Sequence, residues 1–272
     1  MKSFHARTPK AASAPDAKQR PVHAGPPRVD TLLVARGLAP SRTAAQRMIE
    51  AGRVSWAGGI VAKPAQELPA NADLRVAADE TDCYVSRGGL KLAGALAHTG
   101  LAVAGKICLD LGQSTGGFTD CLLQAGAARV VGVDVGHDQL HPRLRTEPRV
   151  QAIEGVNARA LDAATLPLRR FDLIVGDLSF ISLTLVLPQL PPLLAPAGGA
   201  MLLLVKPQFE VGPEHVGKGG IVRDAGLYAQ VEAKLRQVAA AAGLRVLGWF
   251  DSPIRGGDGN REFFLWMTHE SH

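Results

Sequence analysis

The stretch KICLDLGQSTGGFTDCLLQAG, residues 106–126, reads as a buried strand, a glycine-rich turn and a helix. Ile107, Cys108, Leu109 and Leu111 form the short apolar run expected of a central parallel strand, with Asp110 towards its carboxyl end. Gly112, Gly116 and Gly117 allow a tight turn and close approach of a ligand to the backbone. Phe118, Cys121, Leu122 and Ala125 then recur at i, i+3, i+4 and i+7, so they share one helix face, and Gly126 is placed to end that helix.

The turn has the character of a nucleotide site, but its glycines fit neither the G-x-G-x-x-G dinucleotide fingerprint nor a Walker loop, which ends in Gly-Lys-Ser/Thr. A phosphate cradle is therefore disfavoured. Asp110 before the turn, and Asp134 closing the next apolar run VVGVD, suit a ligand that carries an amine and a ribose diol, as S-adenosylmethionine does. The same pattern alone also fits a purely structural strand-to-helix turn, so the choice rests on what lies around it.

From Lys106 onward apolar strands recur near 107–111, 130–134, 150–153, 171–176, 200–205, 245–250 and 263–267, with helical patterns or loops between them. This alternation predicts an α/β fold: a doubly wound, Rossmann-like, largely parallel seven-stranded sheet with its ligand site at the strand carboxyl ends. The last two strands are joined only by a glycine-rich loop, which predicts an antiparallel final strand.

A chain of 272 residues has room for one domain of roughly 180 residues and a smaller one. With 46% hydrophobic and 20% charged residues its composition is that of an ordinary globular protein. Cys83, Cys108 and Cys121 lie far apart with no C-x-x-C pair and no metal-type spacing to histidine, so neither a disulfide framework nor a metal site is expected, and a reducing cytoplasm fits. The opening MKSFHARTPKAASAPDAKQR has no apolar segment of the signal-peptide kind. The most apolar region, 181–205, is broken by Pro188, Pro191, Pro192 and Pro196, which argues for strand, loop and strand rather than a membrane span.

Residues 1–28 carry six Lys or Arg against Asp16 alone, which accounts for the whole formal net charge of +5. Residues 1–27 are expected to be a disordered basic tail, either merely solubilising or an auxiliary arm for a polyanion. Two short helices follow. Val29, Leu32 and Leu33 face inward in the first, which Gly37 ends; Ser41 can cap the second, whose face is Ala44, Ala45, Met48 and Ile49, with Gly52 behind it. Arg36, Arg42, Arg47 and Arg53 cluster here, opposed within the helical pair by Asp30 and Glu50, which forms either a solvated surface or a basic face for phosphates.

The pattern R-x-D-x-L-L, G-L-x-x-S-R-x-x-A-x-x-x-I, G-x-V and G-x-x-V-x-K-P, ending at Pro64, resembles the S-four RNA-binding domain. The resemblance implies a small α+β module over 28–84 and a structured-RNA partner contacted through shape and phosphates. Arg28, Arg36, Arg42, Arg47 and Arg53 are its candidate RNA contacts, with Arg87 and Lys218 in the following domain. Beyond the acidic connector, SRGGLKLAGAL reads as a turn and a helix with Leu90, Ala93, Gly94 and Ala97 on its packing face and Lys91 beside it.

Asp110, Asp134, Asp177 in VGDLSFIS, Lys206 in LLVKPQFE and Glu262 in GNREFFLW all interrupt or stop apolar strands, and are expected on one rim of the sheet. Several charges on one rim need a reason, since burying an unpaired charge costs several kcal/mol. With SRGGLKL, LDLGQSTGGFTD, VGVDVG, DLSFIS, VKPQFE and GNREFF in this order, the chain from about Arg28 to Met267 resembles the TlyA family, haemolysin-A-like RNA ribose methyltransferases related to the FtsJ enzymes. The resemblance implies a methyltransferase domain over 85–272, S-adenosylmethionine as cofactor, ribosomal RNA or ribosomal subunits as partner, and methylation of a ribose 2′-hydroxyl, with cytidine as the nucleoside. It places the family's catalytic tetrad on Lys91, Asp177, Lys206 and Glu262, and the cofactor on Asp110, Gly112, Ser114, Thr115, Gly116, Gly117, Phe118 and Asp134. Lys206 is the candidate base. A free lysine has a pKa of about 10.4, which burial and a second lysine lower and neighbouring carboxylates raise.

Two rival readings remain. A membrane-active haemolysin is disfavoured by the lack of a proline-free apolar stretch of about 20 residues. A non-catalytic RNA-binding or ribosome-assembly factor is disfavoured by the presence of all four tetrad residue types. The loop 209–224, rich in glycine and carrying Lys218 and Arg223, reads as a lid that touches RNA or as a long crossover.

Overall fold

The computed structural model describes residues 25–39, 41–77, 83–161, 163, 164 and 166–270. The basic tail expected over 1–27 therefore lies outside the described residues as far as residue 24. The chain divides into two compact units, Met1–Ala78 and Asp79–His272.

In the first unit, helices α1 (Val29–Ala35) and α2 (Arg42–Glu50) pack beside a small antiparallel sheet of β1 (Val54–Trp56), β2 (Gly59–Ile60) and β3 (Leu74–Val76), in the order β2-β1-β3. Val29, Leu33, Ala45, Ile49 and Val54 are buried together, as the helical periodicity predicts. Ser41 caps α2 by accepting the Ala44 N–H at 3.2 Å. Asp30 is fully buried and accepts hydrogen bonds from Arg28, Arg42 and Gln46. The Arg28 guanidinium, aided by Gln46 and Arg42, outweighs desolvation and holds the Asp30 carboxyl well below the usual carboxylate range.

The second unit opens with α3 (Gly88–Thr99), β4 (Ile107–Leu111), α4 (Gly117–Gln124), β5 (Arg129–Val133), α5 (Pro142–Arg145) and β6 (Val150–Ile153). Next come β7 (Leu173–Gly176), β8 (Ala200–Val205), α6 (Ala225–Ala241), β9 (Leu244–Asp251) and β10 (Phe263–His269). The seven strands order as β6-β5-β4-β7-β8-β10-β9, with β10 antiparallel to both β8 and β9. The chain runs outward from β4 through β5 to β6, then returns to place β7 on the other side of β4. That reversal is the switch point at which α/β sheets bind ligands.

Both faces of the sheet are covered. Leu109 and Leu111 of β4 pack with Ile174, Leu203 and α6 residues such as Val231 and Leu235. Cys108 lies in the opposite layer with Leu92 and Ala95 of α3 and Phe118 and Leu122 of α4. The period-2 alternation of a strand thus gives each face its own core, which is why the strands read as unbroken apolar runs.

Three local expectations are corrected. The α3 face toward the core is Leu92, Ala95 and Leu96, because the two leucines at i and i+4 bury more apolar surface than the Leu90, Ala93, Gly94 and Ala97 set; Ala97 is exposed. Ala125 is also exposed, since α4 has already ended at Gln124. Residues 183–193 form three consecutive 3-10 turns instead of a strand. Pro188, Pro191 and Pro192 occupy the first or second positions of the last two turns, where proline's fixed φ and missing N–H cost nothing.

Candidate active site

A cleft of about 640 Å³ opens at the switch point, lined among others by Gly112, Ser114, Asp134, Asn157, Asp177 and Phe180. Gly112 has φ +77°, and a Cβ there would lie 3.0 Å from the Asp177 carbonyl oxygen, so a side chain at this position would intrude between the β4 turn and the end of β7. Ser114 is also left-handed, at φ +48°, and directs its N–H to Asp134 Oδ2 at 2.7 Å. The other oxygen, Oδ1, accepts the Gly136 N–H at 2.7 Å, so two backbone donors fix the carboxylate at the end of β5.

The remaining residues of the turn serve its framework. Asp110 shares strand parity with Cys108 and is therefore fully buried on the α4 side of β4, where Oδ2 accepts from Thr119 Oγ1 at 2.7 Å. It does not line the cleft. Desolvation pushes its carboxyl up to about 7 against the opposing hydrogen bond from Thr119. Phe118 is buried and stacks on Phe264 at 6.3 Å, so it belongs to the core. A Cβ on Gly116 would collide with Leu144 and Leu140, and one on Gly117 with Ser86 Oγ, which makes both glycines packing requirements of the turn. Thr115 is exposed, and its carbonyl accepts the His141 N–H at 3.2 Å.

A second cavity of about 360 Å³ adjoins the first, with Lys91, Lys206, Gln208, Asp258 and Glu262 in its wall. Ser179 and Phe180 line both cavities. Along this divide the four tetrad residues alternate in charge. Lys206 Nζ lies 2.7 Å from Asp177 Oδ1 and donates to Ser179 Oγ at 2.7 Å. Lys91 Nζ lies 2.7 Å from Glu262 Oε2 and 3.9 Å from Asp177 Oδ2. The side chains are sequestered: Lys91 is 10% exposed, Lys206 11%, Asp177 21% and Glu262 3%. Two cations and two carboxylates thus compensate one another where single charges could not be buried.

The topology explains the convergence. Asp177 follows β7 and Lys206 follows β8, both parallel strands, and Lys91 stands in the first turn of α3. Glu262 corrects the expectation of a carboxyl-end position: it precedes β10, and because β10 runs antiparallel its amino end reaches the same rim.

Sequence reasoning missed Phe180 as part of the site. Its side chain is 90% exposed, its φ is +62°, and its ring lies 5.1 Å from that of Phe209. A bulky residue held left-handed costs on the order of 1–3 kcal/mol and persists where the surroundings impose it. Within LSFIS this phenylalanine looks like any core aromatic; only the backbone sets it apart. Gln113 was also missed: it packs over Gly132 and donates from Nε2 to Thr119 Oγ1 at 2.9 Å, completing a buried Gln113–Thr119–Asp110 chain beneath the turn.

The candidate RNA contacts divide by role. Arg28 and Arg42 are tied to Asp30, Arg36 donates to the Ala72 carbonyl, and Arg53 donates to the Ala77 carbonyl at 2.9 Å. Arg47 is exposed on α2. In the second unit Arg87 donates to the Arg255 carbonyl at 3.0 Å, and Lys218 is exposed in the loop after β8. That loop is pinned by Asn260, 1% exposed, which accepts the Val222 N–H and donates to the Gly220 carbonyl.

Comparison with known proteins places these features in a lineage. The FtsJ-like methyltransferase model matches residues 84–269, and the S4 domain model residues 27–74. The chain is 47% identical over 244 residues to the 16S/23S rRNA (cytidine-2'-O)-methyltransferase TlyA of Mycobacterium tuberculosis, covering 90% of each chain. It is 38% identical to Hemolysin A of Brachyspira hyodysenteriae, covering 87% of this chain and 97% of that one. A solved structure of a candidate hemolysin from Streptococcus thermophilus is 40% identical, with a TM-score of 0.71 over 90% of this chain and 89% of that one.

Proposed function

Because the chain belongs to the FtsJ-like methyltransferase family, and carries an S4 domain before it, we propose that it transfers a methyl group from S-adenosylmethionine to a ribose 2′-hydroxyl of ribosomal RNA, at cytidine. The observation that carries this reading is the pair of adjoining cavities with the Lys91–Asp177–Lys206–Glu262 chain along their divide.

The first cavity suits the cofactor: a backbone approach that a Cβ at Gly112 would fill, and a carboxylate at Asp134 for ribose hydroxyls. When bound, the cofactor supplies a sulfonium-borne methyl group and leaves as a neutral thioether. Lys206, once its ammonium has given a proton to solvent, takes the proton of the attacking hydroxyl at the neutral Nζ, and its neighbours Asp177 and Ser179 fix where that nitrogen points. Glu262 holds Lys91, whose ammonium stands on the other side of Asp177. Sequestered from water, these groups hold the hydroxyl in line, and alignment supplies much of the rate. The exposed Phe180 ring at the shared wall offers a stacking face to an unpaired base, the way RNA bases outside helices are commonly held.

The first unit supplies a basic helix for phosphates, with Arg47 exposed on α2. An rRNA substrate implies action in the cytoplasm. The hemolysin reading has the printed name of a relative in its favour; against it, no helix among the described residues is long and apolar enough to cross a membrane. Tritium transfer from labelled S-adenosylmethionine to ribosomal subunits tests the proposal: label in RNA as 2′-O-methylcytidine supports it, and an unlabelled RNA that the protein nevertheless binds favours a scaffold role.

A further inference from the structure

The loops after β7 and β8 carry the divide between the two cavities, and a buried carboxylate outside the tetrad joins them. Glu210 has a side chain 1% exposed. Its Oε1 accepts the Leu183 N–H at 2.7 Å, and its Oε2 accepts the Ser182 hydroxyl at 2.6 Å. Lys234 on α6 balances the charge, with Nζ 3.1 Å from Oε2, and donates to the Glu210 carbonyl at 2.5 Å. Glu210 itself is set by the 3-10 turn 207–209 that Lys206 caps, since its N–H reaches the Pro207 carbonyl at 2.9 Å. Three ties therefore connect the loops: Lys206 to Asp177 and Ser179, Phe209 to Phe180, and Glu210 to Ser182 and Leu183. Of these, only the last stands clear of both cavity walls on the Glu210 side.

We infer that Glu210 is a positioning residue for the methyl transfer: by clamping the 177–183 loop to the 206–210 loop, it sets Lys206 against Asp177 and holds Phe180 in its left-handed pose. Glu210 touches neither substrate nor cofactor. Its carboxylate is suited to this because both oxygens are engaged by donors from the opposite loop, while Lys234, partly exposed, offsets the charge without competing for those donors. The inference rests on the methyltransferase reading above.

The test compares Glu210→Ala and Glu210→Gln with Val231→Ala, which trims the α6 packing layer and leaves the hydrogen bonds between the loops in place. Single-turnover methyl transfer to ribosomal subunits, cofactor affinity by calorimetry and thermal melting are measured for each. Glutamine can still accept from the Leu183 N–H and pair with the Ser182 hydroxyl, so it is expected to stay within about 5-fold of the parental transfer rate. Alanine is expected to lose about 100-fold, the scale of an ångström-size misplacement of reacting groups, with cofactor affinity changed less than about 3-fold. Glu210→Ala transferring as fast as Val231→Ala at matched stability would overturn the positioning role, and so would Glu210→Gln failing as badly as Glu210→Ala. Absence of transfer by the parental protein would instead overturn the reading on which the inference rests.

Discussion

Lys206 Nζ and Asp177 Oδ1, carried on the loops after two adjacent parallel strands, lie 2.7 Å apart at the wall between two cavities. Neither could be buried alone. On the proposed function, the pair places an amine where a substrate entering one cavity would meet a cofactor in the other. Lys206→Ala should therefore lower methyl transfer by about 100-fold to 10,000-fold, the usual contribution of a general base. RNA and cofactor binding, followed by filter retention and calorimetry, should stay near parental values.

Glu262 and Lys91 separate stability from chemistry. Glu262→Ala leaves a lysine that is only 10% exposed without its 2.7 Å partner, and removing one member of a buried pair costs about 3 kcal/mol or more. A double Lys91→Met/Glu262→Leu variant removes both charges and should recover most of that loss in a denaturant melt. It should remain inactive. Recovery of activity together with stability would mean that the pair is structural only.

Two glycines with the same left-handed backbone distinguish site from scaffold. Gly112 and Gly198 have φ of +77° and +71°, but a Cβ on Gly112 would face the Asp177 carbonyl at 3.0 Å, whereas one on Gly198 meets nothing within 4 Å. Both alanine variants should lose about 1 kcal/mol or more to backbone strain. Only Gly112→Ala should also weaken cofactor binding, read directly by calorimetry.

Asp110 gives stability a definite pH dependence. Its carboxyl is raised from 3.8 to about 7 by burial, so the unfolded chain releases this proton at lower pH than the folded one does. The contribution is fully present below pH 3.8 and is lost as pH rises toward about 7. Asp110→Asn keeps an acceptor for Thr119 and cannot ionise. The variant should thus gain stability relative to the parent as pH rises through that window, and level off above it; parallel curves would contradict the assignment.

In the first unit, Arg42 and Arg47 should behave oppositely. Arg42 is one of the side chains that donate to the buried Asp30, so Arg42→Ala should cost the unit about 1–3 kcal/mol. Arg47→Ala should leave melting unchanged and weaken RNA binding, with a shallower salt dependence.

These contrasts also show where sequence reading stops. The sheet was legible because its strands are buried on both faces and therefore form unbroken apolar runs between turn residues, and the antiparallel end was legible from the short glycine-rich link before Phe263. Asp177, Lys206 and Glu262 were legible as charges at the ends of those runs, and the family resemblance joined Lys91 to them as an expected tetrad. Asp110 was assigned to the cofactor because strand position alone does not say which face a side chain takes; the parity it shares with Cys108 puts it under α4. Arg28 and Arg42, both expected as RNA contacts, are also engaged by the buried Asp30, a partner that the charge pattern alone does not pick out. Phe180 and Glu210 were invisible for a different reason. Their roles depend on a backbone angle and on contacts between loops about 30 residues apart, neither of which leaves a periodic trace.

The most direct test is a map of 2′-O-methylated nucleotides in ribosomal RNA from cells or reconstituted reactions with the parental protein, with Lys206→Ala and with none. A cytidine whose 2′-O-methyl appears only with the parental protein is the predicted result. Identical maps in all three, with the parental protein bound to the RNA and cofactor present, would contradict the account.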